Sequence, residues 1–341
     1  MPLLPFIERV AGRHNLSPEE ARDALLVILE GRASQPQLAA FLMAMRMKGE
    51  TAGELVGFAR AMRAMAAPVS HGLMGVPILD TCGTGGDGAG TFNISTIAAF
   101  VVAGAGVRVA KHGNRSISSR SGSADLLESF GVRIDLSPDD SARAIREVGI
   151  GFFFAPHFHT ATRHAATVRA DLKMRTLFNL LGPLTNPAGA TSQIAGAPSE
   201  KAAGLIAEAL ATLGLARGLV VHGSDGLDEI TTTGPTVAFE IRDSHVERRT
   251  LEPEDFAIRP ASPADLKGGD HARNFEIAQA ILAGERGPKR DIVLVNSAAA
   301  LVVAGQVDTF LEGMAIATVS IDTGAARGKV DELTRFSKAC S

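Results

Sequence analysis

The chain has 341 residues, with 37 acidic and 34 basic side chains for a formal net charge of −3; 45% are hydrophobic, only 5% aromatic, and Trp and Tyr are absent. That length suits two domains or one large one, with a core that Leu, Ile, Val and Ala must fill. The near balance of charge argues against nucleic acid as the main partner, because neutralising phosphates needs an excess of Lys and Arg. Cys82 and Cys340 are the only cysteines and form no CxxC, which argues against a disulfide framework or a zinc knuckle. The start "MPLLPFIERV" lacks a basic stretch followed by a long apolar run, so it is not read as a signal peptide. No uncharged apolar run is long enough to span a membrane, and a cytoplasmic protein is expected.

The first 70 residues read as helices. "SPEE" from Ser17 has a capping Ser, Pro at the first helical position and Glu two further on, opening a helix to about Glu30. "QPQLAAFLMAMRMKG" is a second helix ended by Gly49, with Leu38, Phe41, Leu42 and Met45 on one face. Such a stripe is core or a subunit interface, and a homodimer through this domain is expected. "TAGE" from Thr51 repeats the capping device and opens a helix to about Ala66.

Past residue 75, short apolar strands alternate with helices. "VPILD" is a strand and "NISTIAAFVVAGAG" a helix; "VRVAKHG" is a strand and "SGSADLLESFG" a helix. "SPDDSARAIREVG" is a helix before the strand "IGFFFAP", and "SEKAAGLIAEALATLG" a helix before the strand "RGLVVHG". "TVAFEI" and "HVERRTL" read as an antiparallel insertion, and the chain from about Asp270 is mostly helical. Alternation of this kind implies a mostly parallel sheet flanked by helices. The fold class is α/β: a small N-terminal helical domain over 1–70 and a larger α/β domain over 71–341.

"DTCGTGGDGAGTFNIST", residues 80–96, follows the first strand and contains a G-x-G-x-x-G. A dinucleotide-binding turn also needs an acid at the end of the second strand, about 20 residues on. That strand ends instead in "KHGNR", with Lys111, His112 and Arg115. Glycines after a strand still let backbone N–H groups approach an anion. "NIST" then opens a helix whose N-terminus attracts phosphate. Two such loops with Lys111 suggest a site for more than one phosphate. Asp228-Glu229 also follows a strand, where such a pair taken alone reads as an ordinary solvated turn. No G-x-S-x-G elbow appears, which disfavours a serine hydrolase.

"GTGGD", "NIST", "KHGNR", "SGSADLLESFG", "RTLFNLLGPLTNP" and "DGLDEITTTGPT" occur in the order found in the anthranilate phosphoribosyltransferases of tryptophan biosynthesis. The chain resembles that family over nearly its whole length. The resemblance implies transfer of phosphoribosyl from phosphoribosyl pyrophosphate to anthranilate, with pyrophosphate released, in a cleft between the two domains. It implies that helices within about 165–187 join the helical domain. It assigns phosphoribosyl pyrophosphate to Gly83, Gly86, Asp87, Thr91, Asn93, Ile94, Ser95 and Thr96, to the second loop from Lys111 and His112 through Gly113, Asn114, Arg115, Ser116, Ile117, Ser118 and Ser119, and to Ser123. It assigns anthranilate to Arg169, Asn114 and Gly83, with His112 and His159 beside them. Two Mg2+ ions per subunit are implied, on Ser95, Asp228 and Glu229. No acid/base triad is implied, because an aromatic amine is already a nucleophile and catalysis rests on positioning and charge stabilisation. Two positions depart from the pattern: Thr160 stands where the family usually has Pro, and Lys173 where it usually has Gly. Two other readings fit part of the motif set: a pyrimidine-nucleoside phosphorylase and a non-catalytic nucleic-acid-binding relative. The chain's length and acceptor-loop motif speak against the first, and its acidic balance and retained Asp228-Glu229 against the second.

Overall fold

The computed structural model describes residues 2–85, 88–115 and 121–340. Four helices come first: α1 (Leu4–Ala11), α2 (Pro18–Leu29), α3 (Gln35–Lys48) and α4 (Ala52–Ala64). Capping boxes at Ser17/Glu20, Ser34/Gln37 and Thr51/Glu54 start α2, α3 and α4. Glu54 does more than cap. Its buried carboxylate accepts from the Leu16 and Thr51 amides, each at 2.9 Å, and from Lys48 Nζ at 2.8 Å. One fully satisfied carboxylate thus ties three segments of the bundle together.

The stripe on α3 faces inward. Phe41, Leu42 and Met45 are completely buried and Leu38 nearly so, and Phe41 meets Phe58 of α4 edge-on with ring centroids 6.3 Å apart. The bundle uses these side chains for its own core, so they cannot form the subunit interface expected of them.

The α/β part runs β1 (Ile78–Gly83), α5 (Ile94–Gly104), β2 (Arg108–Gly113), α6 (Ser123–Ser129), α7 (Pro138–Glu147), β3 (Ile150–Phe154), α8 (Ala155–Phe158), α9 (Arg163–Leu172), α10 (Phe178–Leu181), β4 (Ser192–Gly196), α11 (Glu200–Thr212) and β5 (Arg217–Gly223). The hairpin β6 (Thr236–Arg242) and β7 (His245–Leu251) follows, then α12 (His271–Leu282), α13 (Pro288–Val303), α14 (Phe310–Asp322) and α15 (Ala325–Ala339). One seven-stranded sheet has the order β3-β2-β1-β4-β5-β6-β7. The first five in that order pair in parallel; β6 and β7 add antiparallel at the edge.

Successive side chains of a strand point to opposite faces, and each face has its own core. Leu219 and Val221 of β5 join α5, α13 and α15 on one face. Val220 joins α11 and the helical bundle on the other. Ala165, Val168, Leu177, Phe178 and Leu181 share that second core, so α9 and α10 pack with the bundle.

β4 is the strand the sequence hides. "SQIAG" has a single large apolar side chain, whereas buried parallel strands are usually continuous apolar runs. Here Gln193 is buried and satisfied, donating to the Pro183 carbonyl at 2.7 Å and to Cys82 Sγ at 3.0 Å.

Candidate active site

The neighbours β2-β1-β4-β5 end at one edge of the sheet, and the connectivity reverses direction between β1 and β4. Ligands in open α/β sheets bind in the crevice outside the strand ends at such a point. A cleft with a cavity of about 310 Å³ opens there. The glycine loop, the start of α5, the end of β2 and Asp228-Glu229 line one side; Arg169, Phe178 and Asn179 line the other.

Backbone contacts dominate the first side. A Cβ on Gly83 would stand 2.8 Å from Asp228 Oδ2, and one on Gly196 of β4 would stand 1.6 Å from the Asp228 carbonyl oxygen. Only glycine lets the carboxylate segment lie this close across both strand ends. Gly85 has φ +67° and donates its N–H to Asp228 Oδ2 at 2.9 Å, while its carbonyl accepts from the guanidinium of Arg175. Arg46 of α3 in turn donates to the Arg175 carbonyl at 3.0 Å. The Ser95 amide, in the first turn of α5, donates to Glu229 Oε1 at 3.1 Å. Desolvation at the cleft floor, with repulsion from Asp228, pushes the Glu229 carboxyl up to about 8. Paired carboxylates in this condition bind a cation favourably. The donor set is hard oxygen from Asp228, Glu229 and Ser95, which fits magnesium completed by ligand phosphates.

Lys111, near the end of β2, lines the cleft and is directed at the backbone of β1. It is buried, and its ammonium donates to the Thr81 carbonyl at 2.5 Å. Burial lowers its proton affinity, against the pull of Asp80, Cys82, Glu229 and Asp228. Asp80 is itself buried and accepts from the His112 amide at 3.1 Å and from Asn186 Nδ2 at 2.8 Å. Asn186 also reaches the Ala110 carbonyl at 2.8 Å, so the "PLTNP" segment pins β1 to β2.

Asn93, Ile94, Ser95, Thr96, Thr91, Gly113, Asn114, Arg115 and Ser123 all line the cleft. Ile94 and Thr96 are buried. Ser123 Oγ accepts from the Asn114 amide at 3.1 Å and holds the second loop against α6. The Arg115 side chain is engaged elsewhere, on Glu128 at 2.5 and 2.7 Å and on Asp125 at 3.1 Å. Gly86, Asp87, Ser116, Ile117, Ser118 and Ser119 lie outside the described residues.

On the second side, Arg169 of α9 sits 4.8 Å from the Phe178 ring centroid and has no carboxylate partner among the described residues. His112 is buried with Nδ1 3.1 Å from the Gly182 carbonyl. A carbonyl only accepts, so Nδ1 carries the hydrogen and Nε2 is a bare acceptor. Burial, then neighbouring His159, drives His112 down to about 3. His159 does not line the cleft. It packs edge-on against His112 at 5.4 Å, faces the Thr185 carbonyl at 3.0 Å through Nε2, and is held down to about 4 by burial.

The unusual Lys173 terminates α9 in the left-handed region, at φ 47° and ψ 33°. That conformation is the reason glycine is usual there. Thr160 opens a short 3-10 turn ahead of α9. Sequence reasoning missed Arg175, Phe178, Asn179 and Gly196. Arg175, Phe178 and Asn179 stand inside the quoted "RTLFNLLGPLTNP" motif without having been singled out; Gly196 becomes visible only once β1 and β4 are side by side.

A helical bundle is joined to an α/β sheet with a glycine-lined cleft at its switch point. Two family models match it, "Glycosyl transferase family, helical bundle domain" over residues 4–66 and "Glycosyl transferase family, a/b domain" over residues 75–327. The anthranilate phosphoribosyltransferase of Solibacter usitatus is 68% identical, over 98% of this chain and 99% of that one. The crystal structure of the Thermus thermophilus enzyme superposes with a TM-score of 0.92 at 41% identity, covering 99% of this chain and 100% of that one. The Saccharomyces cerevisiae enzyme in complex with PRPP and Mg gives 0.90 at 28%, and with 4-fluoroanthranilate 0.87 at 27%, each over 99% of this chain and 98% of that one. The chain belongs to the anthranilate phosphoribosyltransferases of the glycosyl transferase family.

Proposed function

We infer that the protein transfers the phosphoribosyl group of phosphoribosyl pyrophosphate to the amine of anthranilate. The carrying observation is the two-sided cleft: a backbone cradle with two carboxylates faces an arginine that has no carboxylate partner among the described residues. The bond from the ribosyl carbon to pyrophosphate breaks, a carbon–nitrogen bond forms, and the amine loses a proton. Gly83, Gly85 and the start of α5 line the side of the cleft that takes the donor, and catalysis rests on positioning and charge stabilisation. Asp228, Glu229 and Ser95 would hold magnesium, two ions in this reading, and the metal would offset the charge developing on the leaving pyrophosphate. Arg169 takes the anthranilate carboxylate, and the bare Nε2 of His112 faces the acceptor's polar groups. His159 supports His112 from behind.

Residues 1–70, with the helices within 165–187, act in this reading as one domain and the rest of 71–341 as the other. Assembly is as a homodimer through the outer face of the bundle, where Met47 is 71% exposed, and light scattering at micromolar concentration checks this. The activity is tested by pyrophosphate release from phosphoribosyl pyrophosphate with anthranilate, set against other amines and nucleobases. Pyrophosphate release with anthranilate and with none of the others supports the assignment; cleavage of a pyrimidine nucleoside by inorganic phosphate, giving free base and ribose 1-phosphate, would replace it.

A further inference from the structure

Asp228 and Glu229 lie in a stretch, residues 227–235, that has neither helix nor strand. Buried backbone groups in such a stretch still need partners. Leu227 gains one from Asp225, whose Oδ1 accepts its amide at 3.2 Å, and Thr231 gains one from Thr236 Oγ1 at 3.0 Å. Ile230, directly after Glu229, is held differently. Its N–H donates to Asn296 Oδ1 at 3.0 Å and its carbonyl accepts from Asn296 Nδ2 at 2.9 Å. Asn296 is only 2% exposed, and its second amide hydrogen goes to the Ile292 carbonyl at 2.9 Å. One side-chain amide thus offers Ile230 the paired donor and acceptor that a neighbouring strand would have offered.

We infer that Asn296 is a positioning residue for the magnesium site, fixing Glu229 relative to Ser95 from helix α13. Two further observations point the same way. Helix α13 also packs along α5, which carries Ser95 in its first turn. Asn296, Glu229 and Ser95 line one small internal cavity under the cleft. One helix therefore sets both halves of the oxygen donor set, through side-chain packing on one side and two hydrogen bonds on the other. Partners that orient metal ligands from behind typically contribute about 10- to 100-fold to metal affinity.

The inference rests on the assignment of Asp228, Glu229 and Ser95 to magnesium, and the test separates the two. Asn296→Leu keeps the branched shape and removes all three hydrogen bonds; Asn296→Ser is smaller and keeps one polar group. Each full-length variant is titrated with Mn2+, free ion being counted by electron paramagnetic resonance with and without phosphoribosyl pyrophosphate. The magnesium dependence of turnover and the anthranilate affinity are measured alongside. Asn296→Leu is expected to raise the Mn2+ dissociation constant and half-saturating magnesium about tenfold, with turnover recovering at high magnesium and anthranilate affinity unchanged. Asn296→Ser should fall between it and the parent, and decides the matter if the Leu variant does not fold. A folded variant with unchanged metal affinity, beside a Glu229→Gln variant that has lost it, overturns the role of Asn296. If Glu229→Gln also leaves metal affinity unchanged, the magnesium assignment itself has failed.

Discussion

The side of the cleft proposed for the phosphates is shaped by close backbone contacts, the side proposed for the acceptor mostly by side chains. On the first, Gly83, Gly85 and Gly196 bring main chain against the Asp228 segment, and the Gly85 and Ser95 amides donate to its two carboxylates. On the second, Arg169 and Phe178 stand on or beside helices that pack with the bundle, while His112 comes from the sheet. A backbone cradle is fixed by the sheet register and tolerates few changes. A side-chain pocket is fixed by how one helix docks, and its members can be exchanged singly. The two sides should therefore fail differently under mutation.

The largest effect belongs to the carboxylates. Asp228→Asn with Glu229→Gln removes both negative charges while keeping oxygens for the Gly85 and Ser95 amides. A loss in kcat/KM on the order of 10²–10³-fold is expected at low magnesium, since charge stabilisation at the leaving group is lost. Circular dichroism should be unchanged. Near-parental activity at limiting magnesium would detach the pair from the metal.

Next comes the acceptor side. An arginine–carboxylate contact in a partly desolvated pocket is worth roughly 2–5 kcal/mol by truncation. Arg169→Ala should lower kcat/KM for anthranilate about 30-fold or more. Affinity for phosphoribosyl pyrophosphate, measured by titration with magnesium present, should hardly move. Equal weakening of both substrates would mean that the two sides are not separate.

This division also explains what was legible in the sequence. The cradle follows from glycines and capping residues at fixed offsets from a strand, so "GTGGD", "NIST" and "KHGNR" could be placed without coordinates. Asp228-Glu229 alone read as a solvated turn, and only the resemblance singled it out. Gly196 could not be found, because β4 is short, polar and buried, and its glycine matters only through Asp228 across the sheet. Arg175 opens the quoted "RTLFNLLGPLTNP", but its contact could not be read there, because its partner Gly85 is ninety positions away. The α3 stripe was seen, but sequence could not decide between the chain's own core and a partner's surface. Packing against Phe58 decides it.

The histidine pair gives a smaller, pH-dependent effect. Burial holds His112 near 3 and His159 near 4, below the ordinary value of 6.5 that each regains on unfolding. Below about pH 6.5 the unfolded chain therefore binds more protons than the folded one, and stability falls with acidification down to the folded values. Each histidine contributes at most about 1.4 kcal/mol per pH unit in that window. His112→Asn keeps a donor for the Gly182 carbonyl and removes one titration. Urea unfolding between pH 7 and 5 should show a flatter decline for this variant. An unchanged slope would mean that His112 is not held neutral by burial.

The smallest effect lies at the C-terminal end of α9. Lys173 ends α9 with φ 47° and ψ 33°, where a side chain is crowded against its own backbone. For a residue other than glycine the left-handed region costs about 1–2 kcal/mol. Glycine removes that strain but loses more backbone freedom on folding, which returns roughly 0.5–1 kcal/mol to the unfolded state. The difference leaves Lys173→Gly more stable by about 0.5–1 kcal/mol. Lys173 makes no ion pair among the described residues, so no contact is lost to offset this gain. The expected signature is a small rise in the urea midpoint with an unchanged slope. Because Arg169 is one turn before Lys173 on the same helix, anthranilate KM should stay within about twofold, its position being set by packing of Ala165 and Val168 in the bundle core. A fall in stability would show that Lys173 contributes a contact worth more than its strain. A large change in anthranilate KM would show that the helix end, and not the bundle, sets the acceptor site.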